Sequence, residues 1–417
     1  MENAGGILFK NVQVIDGNRD KSFSADVLVQ NGEISTVKEG GGLQVRSGRI
    51  IEGKGRTLMS GLCDAHTHLS WNSTGDLDKI ASMPVEEHML VCAETARIMI
   101  DQGYTMAVGA ASAKQRLDVV IRDAINAGQF PGPRSLANGQ ELATPAGVLF
   151  PGATNVVSGV EETRRKVREL CGLGVDIVKV IQSGESVTER VWAKDDYFTD
   201  EEIAVIVEEA HRVGRRVASH ARSAESCAKA VRNGVDILYH MTYIDDATMD
   251  LLEQRKDSVF VAPGLHWLIA TCEEADAFGY PRSQAELVGY VEELEVSIAG
   301  MKEMHRRGIK VLPGGDYGFA WTPHGTNARD LQHFVERLGF TPMEAIRSAT
   351  VYGGEIMQDA KLGNVLPGFH ADLLLVDGDP LTDIAILQDK SKLVGIMKEG
   401  EFHKDPDVSD FIAGLKL

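Results

Sequence analysis

The chain has 417 residues, of which 43% are hydrophobic, and this suits a globular protein with one large and one smaller domain. Its formal net charge of -18 at pH 7 would repel phosphate backbones, so we expect no nucleic-acid partner. Five cysteines without a Cys-x-x-Cys pair, no N-terminal signal pattern and no apolar run of membrane-spanning length predict a cytoplasmic protein that contacts no membrane.

The two ends of the sequence share a strand-like pattern. Short segments that alternate apolar and polar residues are separated by turn residues, as is typical of a small sheet. These segments occupy residues 7–15, 25–30, 371–378 and 393–400. We therefore expect residues 1–60 and 365–417 to pair into one small β-sandwich domain built from both termini.

Between the two ends, residues 61–364 alternate apolar strand-like runs with amphipathic helix-like runs. This alternation predicts a parallel sheet covered by helices. The predicted strands are 58–68, 105–110, 135–140, 177–182, 216–220, 237–240, 259–264 and 310–316. The predicted helices include 84–101, 161–173, 200–213, 224–233, 246–253 and 284–307. Eight strands with intervening helices predict an α/β fold whose large domain is a (β/α)8 TIM-like barrel.

Two histidines, His66 and His68, end the first predicted strand. Side chains two positions apart on a strand point to the same face, so both imidazoles can reach one metal ion. In a chain with 12 histidines, such a pair is equally compatible with a structural role. The side chains at later strand ends decide between the two interpretations.

Four further candidates lie on later predicted strands. Lys179 stands in an apolar run, where a lysine is costly unless it is modified or forms a salt bridge, for example with Asp176 or Glu185. The others are His220, His240 and Asp316, which taken singly would be hydrogen-bonded core histidines and a helix cap. Barrel active sites are built from the C-terminal ends of different strands, so the joint arrangement indicates a single site.

The six side chains suit two divalent metal ions. The predicted ligands are His66, His68 and Asp316 for one ion and His220 and His240 for the other. Lys179, converted by carbon dioxide to a carbamate, would bridge them. Zinc suits these ligands best, with manganese, cobalt or iron as alternatives. A water bridging the ions would ionise near neutral pH, and Asp316 would carry its proton to a leaving nitrogen.

These motifs resemble those of the amidohydrolase superfamily, in its binuclear subtype with a carboxylated lysine. The resemblance extends over nearly the whole chain and rests on residues 61–68, 178–180, 219–220, 239–240, 314–316, 323–325 and 362–373. Within the superfamily, the chain is most similar to imidazolonepropionase-related and prolidase-like amidohydrolases. The resemblance implies hydrolysis of an amide-type C–N bond in an N-acyl amino acid, a dipeptide-like compound or a xenobiotic amide.

The chain departs from its prolidase-type relatives where substrate residues are expected. Those relatives often carry a Gly-His-Gly-Asp loop after the third strand, whereas this chain has the less polar segment 141–150, which implies a different substrate. They often have a tyrosine where this chain has Arg222, which either clamps a substrate carboxylate or forms a salt bridge. Tyr243 either polarises a carbonyl oxygen or only packs, and His266 and His324 are further pocket candidates.

Three other functions are compatible with parts of this pattern. The scissile bond could instead belong to a carbamate or a urea. A ring-amidine deaminase usually lacks the lysine and has His-x-x-Glu at the fifth strand, where residues 220–223 read His-Ala-Arg-Ser. A non-enzymatic barrel scaffold is least favoured because no ligand is missing. The predicted partners are a small-molecule substrate and further copies of the chain in a homo-oligomer.

Overall fold

The computed structural model of the chain describes residues 6–75 and 77–414. Strands and helices are mixed along these ranges. The strands are β1 (Gly6–Ile15), β2 (Phe23–Gln30), β3 (Glu33–Glu39), β4 (Gly48–Glu52), β5 (Thr57–Ser60), β6 (Leu62–Thr67), β7 (Tyr104–Gly109), β8 (Arg134–Leu136), β9 (Leu142–Ala143), β10 (Asn155–Val156), β11 (Ile177–Ile181), β12 (Arg216–Ala221), β13 (Ile237–His240), β14 (Phe260–Ala262), β15 (Leu373–Val376), β16 (Leu393–Lys398) and β17 (Glu401–Lys404). The α-helices are α1 (Leu77–Ser82), α2 (Val85–Asp101), α3 (Leu117–Asn126), α4 (Val160–Gly172), α5 (Asp200–Arg212), α6 (Ala224–Arg232), α7 (Asp246–Gln254), α8 (Leu265–Glu273), α9 (Arg282–Leu287), α10 (Tyr290–Arg306), α11 (Arg329–His333), α12 (Pro342–Ala349), α13 (Val351–Ile356) and α14 (Pro406–Gly414).

Strands from both ends of the chain lie in one sheet. Within the described ranges its order is β17-β16-β15-β5-β1-β2-β3, and β4 also pairs with β1. The pairing of β15 with β5 joins the C-terminal strands to the N-terminal ones. Alternate residues of these strands, among them Phe9, Val27 and Leu375, pack into a core of their own. The strand pairing defines one sheet, and the sandwich arrangement stays a prediction.

The middle of the chain forms parallel sheets flanked by helices. In the described residues these are a three-stranded sheet, β6-β7-β8, and a six-stranded sheet, β10-β9-β11-β12-β13-β14. Residues 310–314 hydrogen-bond to both, because Val311 pairs with Val261 and the carbonyl oxygen of Pro313 accepts a hydrogen bond from the Ala65 amide. From β11 to β14, strands and helices alternate, as expected of an α/β fold.

Local signals set the starts of the helices that follow these strands. The Thr199 hydroxyl accepts a hydrogen bond from the Glu202 amide, and Glu202 accepts one from the Thr199 amide, so α5 begins with a capping box. Ser223 caps α6 and Asp245 caps α7, each with one side-chain oxygen that accepts a hydrogen bond from a backbone amide of the first turn. The three helices begin at the predicted residues 200, 224 and 246.

Four predicted elements differ from the structure, one of them being the predicted strand 135–140, which is confined to Arg134–Leu136. Residues 58–68 form two strands, because the chain passes from the terminal sheet to a parallel sheet at Gly61, where a Cβ would lie 2.2 Å from the Thr105 hydroxyl oxygen. Residues 310–316 are no regular strand, since Pro313 lacks an N–H and two glycines follow it. The predicted helix 284–307 is broken at Gly289, whose φ of 95° is left-handed.

None of the helices in the described ranges is both long and apolar enough to cross a membrane.

Candidate metal centre and active site

The six predicted ligands come together at the strand ends. His66 lies on β6 and His68 directly follows it, while Asp316 follows the segment that joins the two parallel sheets. The remaining three are Lys179 on β11, His220 on β12 and His240 on β13. All six side chains are buried. Because the strands are parallel, their carboxyl ends meet at one edge, which is where barrel enzymes place their chemistry.

His66, His68 and Asp316 form a donor cluster that can hold a metal ion. Their ligand atoms all lie within 4.8 Å of one another. Oδ1 of Asp316 is 2.8 Å from Nε2 of His68 and 3.6 Å from Nε2 of His66. Nδ1 of His68 lies 3.2 Å from the carbonyl oxygen of Ala111, which leaves Nε2 directed at the carboxylate.

His220 and His240 lie beside this cluster. Their ring centroids are 4.3 Å apart, and the His240 ring is 5.2 Å from that of His66. Nδ1 of His240 is 3.3 Å from the Pro263 carbonyl oxygen, whereas its buried Nε2 has no hydrogen-bond partner among the described residues. Burial holds the pKa values of His66, His220 and His240 well below the ordinary value, which favours the neutral form of these imidazoles. A neutral imidazole with an unpaired buried nitrogen fits a metal ligand.

Asp316 is held ionised in an unusual backbone conformation. Burial raises its pKa, but the close contacts with the His66 and His68 rings, together with the charge of nearby Arg222, more than offset this, so the pKa lies below the usual range. Its φ of 62° lies in the left-handed region, which costs a non-glycine residue free energy. His240 shares this feature with a φ of 70°. The fold therefore maintains strained backbone at two of the six positions.

Lys179 pairs with a residue that the sequence interpretation did not assign to the site. Its Nζ lies 3.3 Å from Oε2 of Glu141, and both side chains are buried. The partners considered from the sequence are engaged elsewhere: Asp176 pairs with Arg122 and Glu185 with Arg222. Glu141 directly follows a predicted strand, which is the same positional signal that identified Asp316.

Five of the six predicted ligands, all except His240, border a small cavity of about 30 Å³ that is partly open to solvent. Its polar lining consists of imidazoles, carboxylates and the amine of Lys179, and the remaining side chains are apolar. The described residues that line it are His66, His68, Glu141, Leu149, Phe150, Lys179, Glu185, Val187, His220, Trp267, Asp316 and Phe319.

The four predicted substrate residues lie outside this described lining. Arg222 is fully buried, and its guanidinium pairs with Glu185 and Glu293, which is the salt-bridge alternative considered from the sequence. The others make these contacts: Tyr243 lies beneath Nζ of Lys194, His266 approaches His333 with 3.1 Å between ring nitrogens, and His324 lies 3.0 Å from the Trp71 carbonyl oxygen.

Residues 57–402 match the model of the amidohydrolase family. The chain belongs to this family. Members generally use divalent metals, and His66, His68 and Asp316 are the donor cluster found here. The family and its solved structures imply a TIM-like barrel with mixed α and β content.

Individual relatives refine the comparison. Ochratoxinase from Aspergillus niger is 28% identical over 327 residues, which are 69% of this chain and 64% of that protein, so the match spans less than two thirds of the relative. The crystal structure of an amidohydrolase superposes with a TM-score of 0.85 at 27% identity and covers 96% of this chain and 99% of its own. A prolidase complexed with N-methylphosphonate-L-proline gives 0.85 at 25% identity, with 96% and 100% covered. The predicted likeness to prolidase-like amidohydrolases is confirmed.

Proposed function

We propose that the chain is a metal-dependent hydrolase that cleaves an amide-type C–N bond of a small molecule. The convergence of His66, His68 and Asp316 beside one cavity carries this proposal, because these three donors are buried and within 4.8 Å of one another. Family membership supports it, as do relatives named for ochratoxinase and prolidase. Amide hydrolysis therefore ranks above carbamate or urea hydrolysis and above ring-amidine deamination.

The donor set supports two divalent ions, with zinc as the metal that imidazole and carboxylate suit best. We assign His66, His68 and Asp316 to one ion and His220 and His240 to the other. Such ions would supply Lewis acidity, which polarises a carbonyl group and eases the ionisation of water. A carbamate on Lys179 would join the two sets, since this buried side chain lines the same cavity as His66 and His220.

Asp316 is the group that moves the proton. Its depressed pKa keeps it a carboxylate at neutral pH, and its position beside His68 places an oxygen at the cavity edge. It can accept a proton from the attacking water and return it to the leaving nitrogen. The apolar side chains in the lining, including Phe150, Trp267 and Phe319, limit the access of water and so strengthen the electrostatic interactions at this edge.

The architecture proposed for this activity is a (β/α)8 barrel over residues 61–364 with a β-sandwich of residues 1–60 and 365–417. The hydrogen bonds from residues 310–314 to both parallel sheets support the barrel, and the separate core of the terminal sheet supports the second domain. The homo-oligomeric state and the cytoplasmic location stay predictions.

The test combines metal analysis with turnover by the full-length chain. Native protein is expected to contain close to two divalent ions per chain and to release amine from members of a panel of N-acyl amino acids, dipeptides, carbamates and aryl ureas. Chelation and Asp316→Asn should each abolish that release, whereas His211→Gln, which alters an exposed histidine paired with Asp236, should not. Folded protein with one ion or none would refute the two-metal assignment, and full activity after chelation would refute the function.

A further inference from the structure

A short turn at residues 327–330 leads into α11 and contains two buried polar side chains; we call it the α11 turn. Asn327 is 2% exposed and Asp330 is 1% exposed, although these residue types usually lie at the surface. The Asp330 amide donates a hydrogen bond to the Asn327 carbonyl oxygen, which fixes one residue relative to the other. Buried polar groups need hydrogen-bond partners, and these partners lie on both segments that carry the donor cluster of the proposed metal centre.

Asn327 is attached to the strand that carries His66. Its Nδ2 donates a hydrogen bond of 2.7 Å to Oδ2 of Asp64. The other carboxylate oxygen of Asp64, Oδ1, accepts a hydrogen bond of 2.9 Å from the backbone amide of His66. All three residues are buried, so water does not compete for these hydrogen bonds. The Asp64 carboxylate therefore links the α11 turn to the backbone of the first proposed ligand.

The same turn is attached to the segment that carries Asp316. Oδ2 of Asp330 accepts a hydrogen bond of 2.8 Å from the backbone amide of Gly314. On the other side of the ligand, the Tyr317 hydroxyl donates a hydrogen bond of 3.1 Å to the carbonyl oxygen of Asn327. Asp316 lies between these two attachments with its left-handed φ of 62°, a conformation that persists only where the surrounding structure holds it. The α11 turn therefore holds the chain on both sides of Asp316.

The two ligand-bearing segments leave little room for adjustment. Gly314 lies against the backbone of β6, where a Cβ would be 2.7 Å from the His66 nitrogen. Nε2 of His68 is 2.8 Å from Oδ1 of Asp316. Distances between a metal ion and its ligands hold to within about 0.2 Å in a well-formed site. A small displacement of either segment is therefore expected to weaken metal binding.

We propose that Asn327 and Asp330 are positioning residues of the metal centre. Asn327 acts through Asp64 on β6. Asp330 acts through Gly314 on the segment that ends in Asp316. The inference rests on the proposed function and adds to it the residues that hold the ligands in place. Loss of either hydrogen bond leaves a buried group without a partner, and the segment that carries this group can then shift. Residues that fix metal ligands typically account for about 10- to 100-fold in metal affinity.

Exchanging the amide and the carboxylate of one pair tests the inference at nearly constant side-chain volume. Asn327→Asp removes the hydrogen-bond donor and places two carboxylates together. Adding Asp64→Asn restores one hydrogen bond with its direction reversed, while the oxygens that accept from the His66 and Gly325 amides are retained. Asn327→Ala removes the donor without adding a charge, and it replaces Asn327→Asp if that variant does not fold.

The Kd of Zn²⁺ for metal-stripped, full-length protein is measured by titration against a competing chelator, and the unfolding free energy by urea in excess chelator. Asn327→Asp and Asn327→Ala are expected to raise the Kd at least about tenfold, and the double variant to return it toward the wild-type value. The control is Asn233→Ala, which removes a hydrogen bond of 2.8 Å to Oδ1 of Asp200 at the end of α6 and should lower the unfolding free energy without changing the Kd. An unchanged Kd in Asn327→Ala, an equal rise in Asn233→Ala, or a double variant that binds Zn²⁺ no better than Asn327→Asp overturns the inference.

The second positioning residue is tested in the same titration. Asp330→Ala is expected to raise the Kd of Zn²⁺ as well. Asp330→Asn keeps an oxygen that accepts from the Gly314 amide and should bind Zn²⁺ nearly as tightly as wild type. If Asp330→Ala binds Zn²⁺ as tightly as wild type, Asp330 has no positioning role.

Hydrogen exchange separates the inference from the proposed function, because it needs no metal ion. In metal-free protein, Asn327→Ala should speed amide exchange in residues 62–68 and 311–317 relative to wild type and to Asn233→Ala. If exchange changes in this way but the wild type binds no Zn²⁺, the hold of the α11 turn on both segments stands and the metal assignment of the proposed function fails. If the wild type binds Zn²⁺ with a Kd that Asn327→Ala does not change, the metal assignment stands and the positioning role fails.

Discussion

Replacing Arg222 with methionine is expected to destabilise the whole protein rather than only to change substrate binding. The guanidinium is fully buried and pairs with Glu185 and with Glu293. Methionine fills a similar volume but carries no charge. The variant would therefore leave two buried carboxylates facing each other without a cation, and one of them must take up a proton or be exposed to water.

The expected loss of unfolding free energy follows from the burial of these three side chains. Removing one partner of a buried ion pair costs about 3–5 kcal/mol of unfolding free energy. Unfolding entropy of about 2.1 cal/mol/K per residue gives about 0.9 kcal/mol/K for a chain of 417 residues, so Tm should fall by about 3–6 °C.

The loss should also depend on pH. Burial raises the pKa of Glu185 to about 7, and Arg222 opposes that rise. A raised carboxyl pKa in the folded state means that stability falls as pH increases from the unfolded value toward the folded one. Because the pKa of Glu185 rises further without Arg222, the difference between variant and wild type should be larger at pH 8 than at pH 6.

Thermal and urea unfolding of the full-length protein measure this effect. The control is Arg168→Met, which breaks an ion pair with Glu209 at a side chain that is 55% exposed and should cost less than about 1 kcal/mol. Arg222→Met combined with Glu185→Gln and Glu293→Gln should recover much of the loss, since no unpaired charge remains. If the unfolding free energy of Arg222→Met lies within about 1 kcal/mol of the wild-type value at both pH values, the buried ion pairs of Arg222 with Glu185 and Glu293 do not stabilise the protein as their contacts indicate.

Three more predictions concern the site and the terminal sheet. Lys179→Ala is expected to lose most amide hydrolysis and to regain part of it with added short-chain carboxylic acids, as a missing bridging carboxylate should allow; rescue by amines instead would contradict the carbamate. Arg56 and Lys54 hold the pKa of Asp410 down to about 2, so its stabilising contribution is present above the usual carboxyl pKa and disappears as pH falls toward 2. Unfolding of Asp410→Asn and wild type at pH 6 and pH 3 should show a smaller difference at pH 3; an equal difference would exclude this linkage. Gly314→Ala is expected to lower both stability and metal content, since its Cβ would lie 2.7 Å from a backbone nitrogen of β6, whereas Gly172→Ala, with no described atom within 4 Å outside its own helix, should be tolerated.

The sequence patterns predicted the residues that converge in the proposed metal site, because those signals are local. The spacing of His66 and His68 follows from the period of a strand, and a polar residue at a strand end such as Asp316 is visible without knowledge of the rest of the fold. The ion-pair partner of Lys179 is Glu141, 38 positions earlier, and Arg222 reaches Glu293, 71 positions later. Spacing along the chain does not encode such distant pairings, which depend on how helices pack over the sheets.

The strand predicted at residues 310–316 was wrong for a related reason. The apolar run at 310–316 has the composition of a strand, yet Pro313 removes one hydrogen-bond donor. A Cβ on Gly315 would lie 2.5 Å from the Tyr317 ring, a contact that only the folded chain reveals. The close approach permitted by these glycines lets Asp316 reach His68, so the departure from regular structure is part of the site.

The passage from β5 to β6 connects the terminal sheet directly to the strand that carries the proposed ligand His66. Ser60 pairs with Leu373 in that sheet, and only Gly61 separates it from the strand that carries His66. Removing β15 would leave one edge of β5 without its hydrogen-bonded neighbour. It would thereby weaken the attachment of β6, the strand that carries His66. A shortened protein of residues 61–364 would retain every proposed ligand in its sequence, yet we expect it to lose the alignment of those ligands. The terminal sheet is therefore expected to be needed for the site and not to be a separable domain.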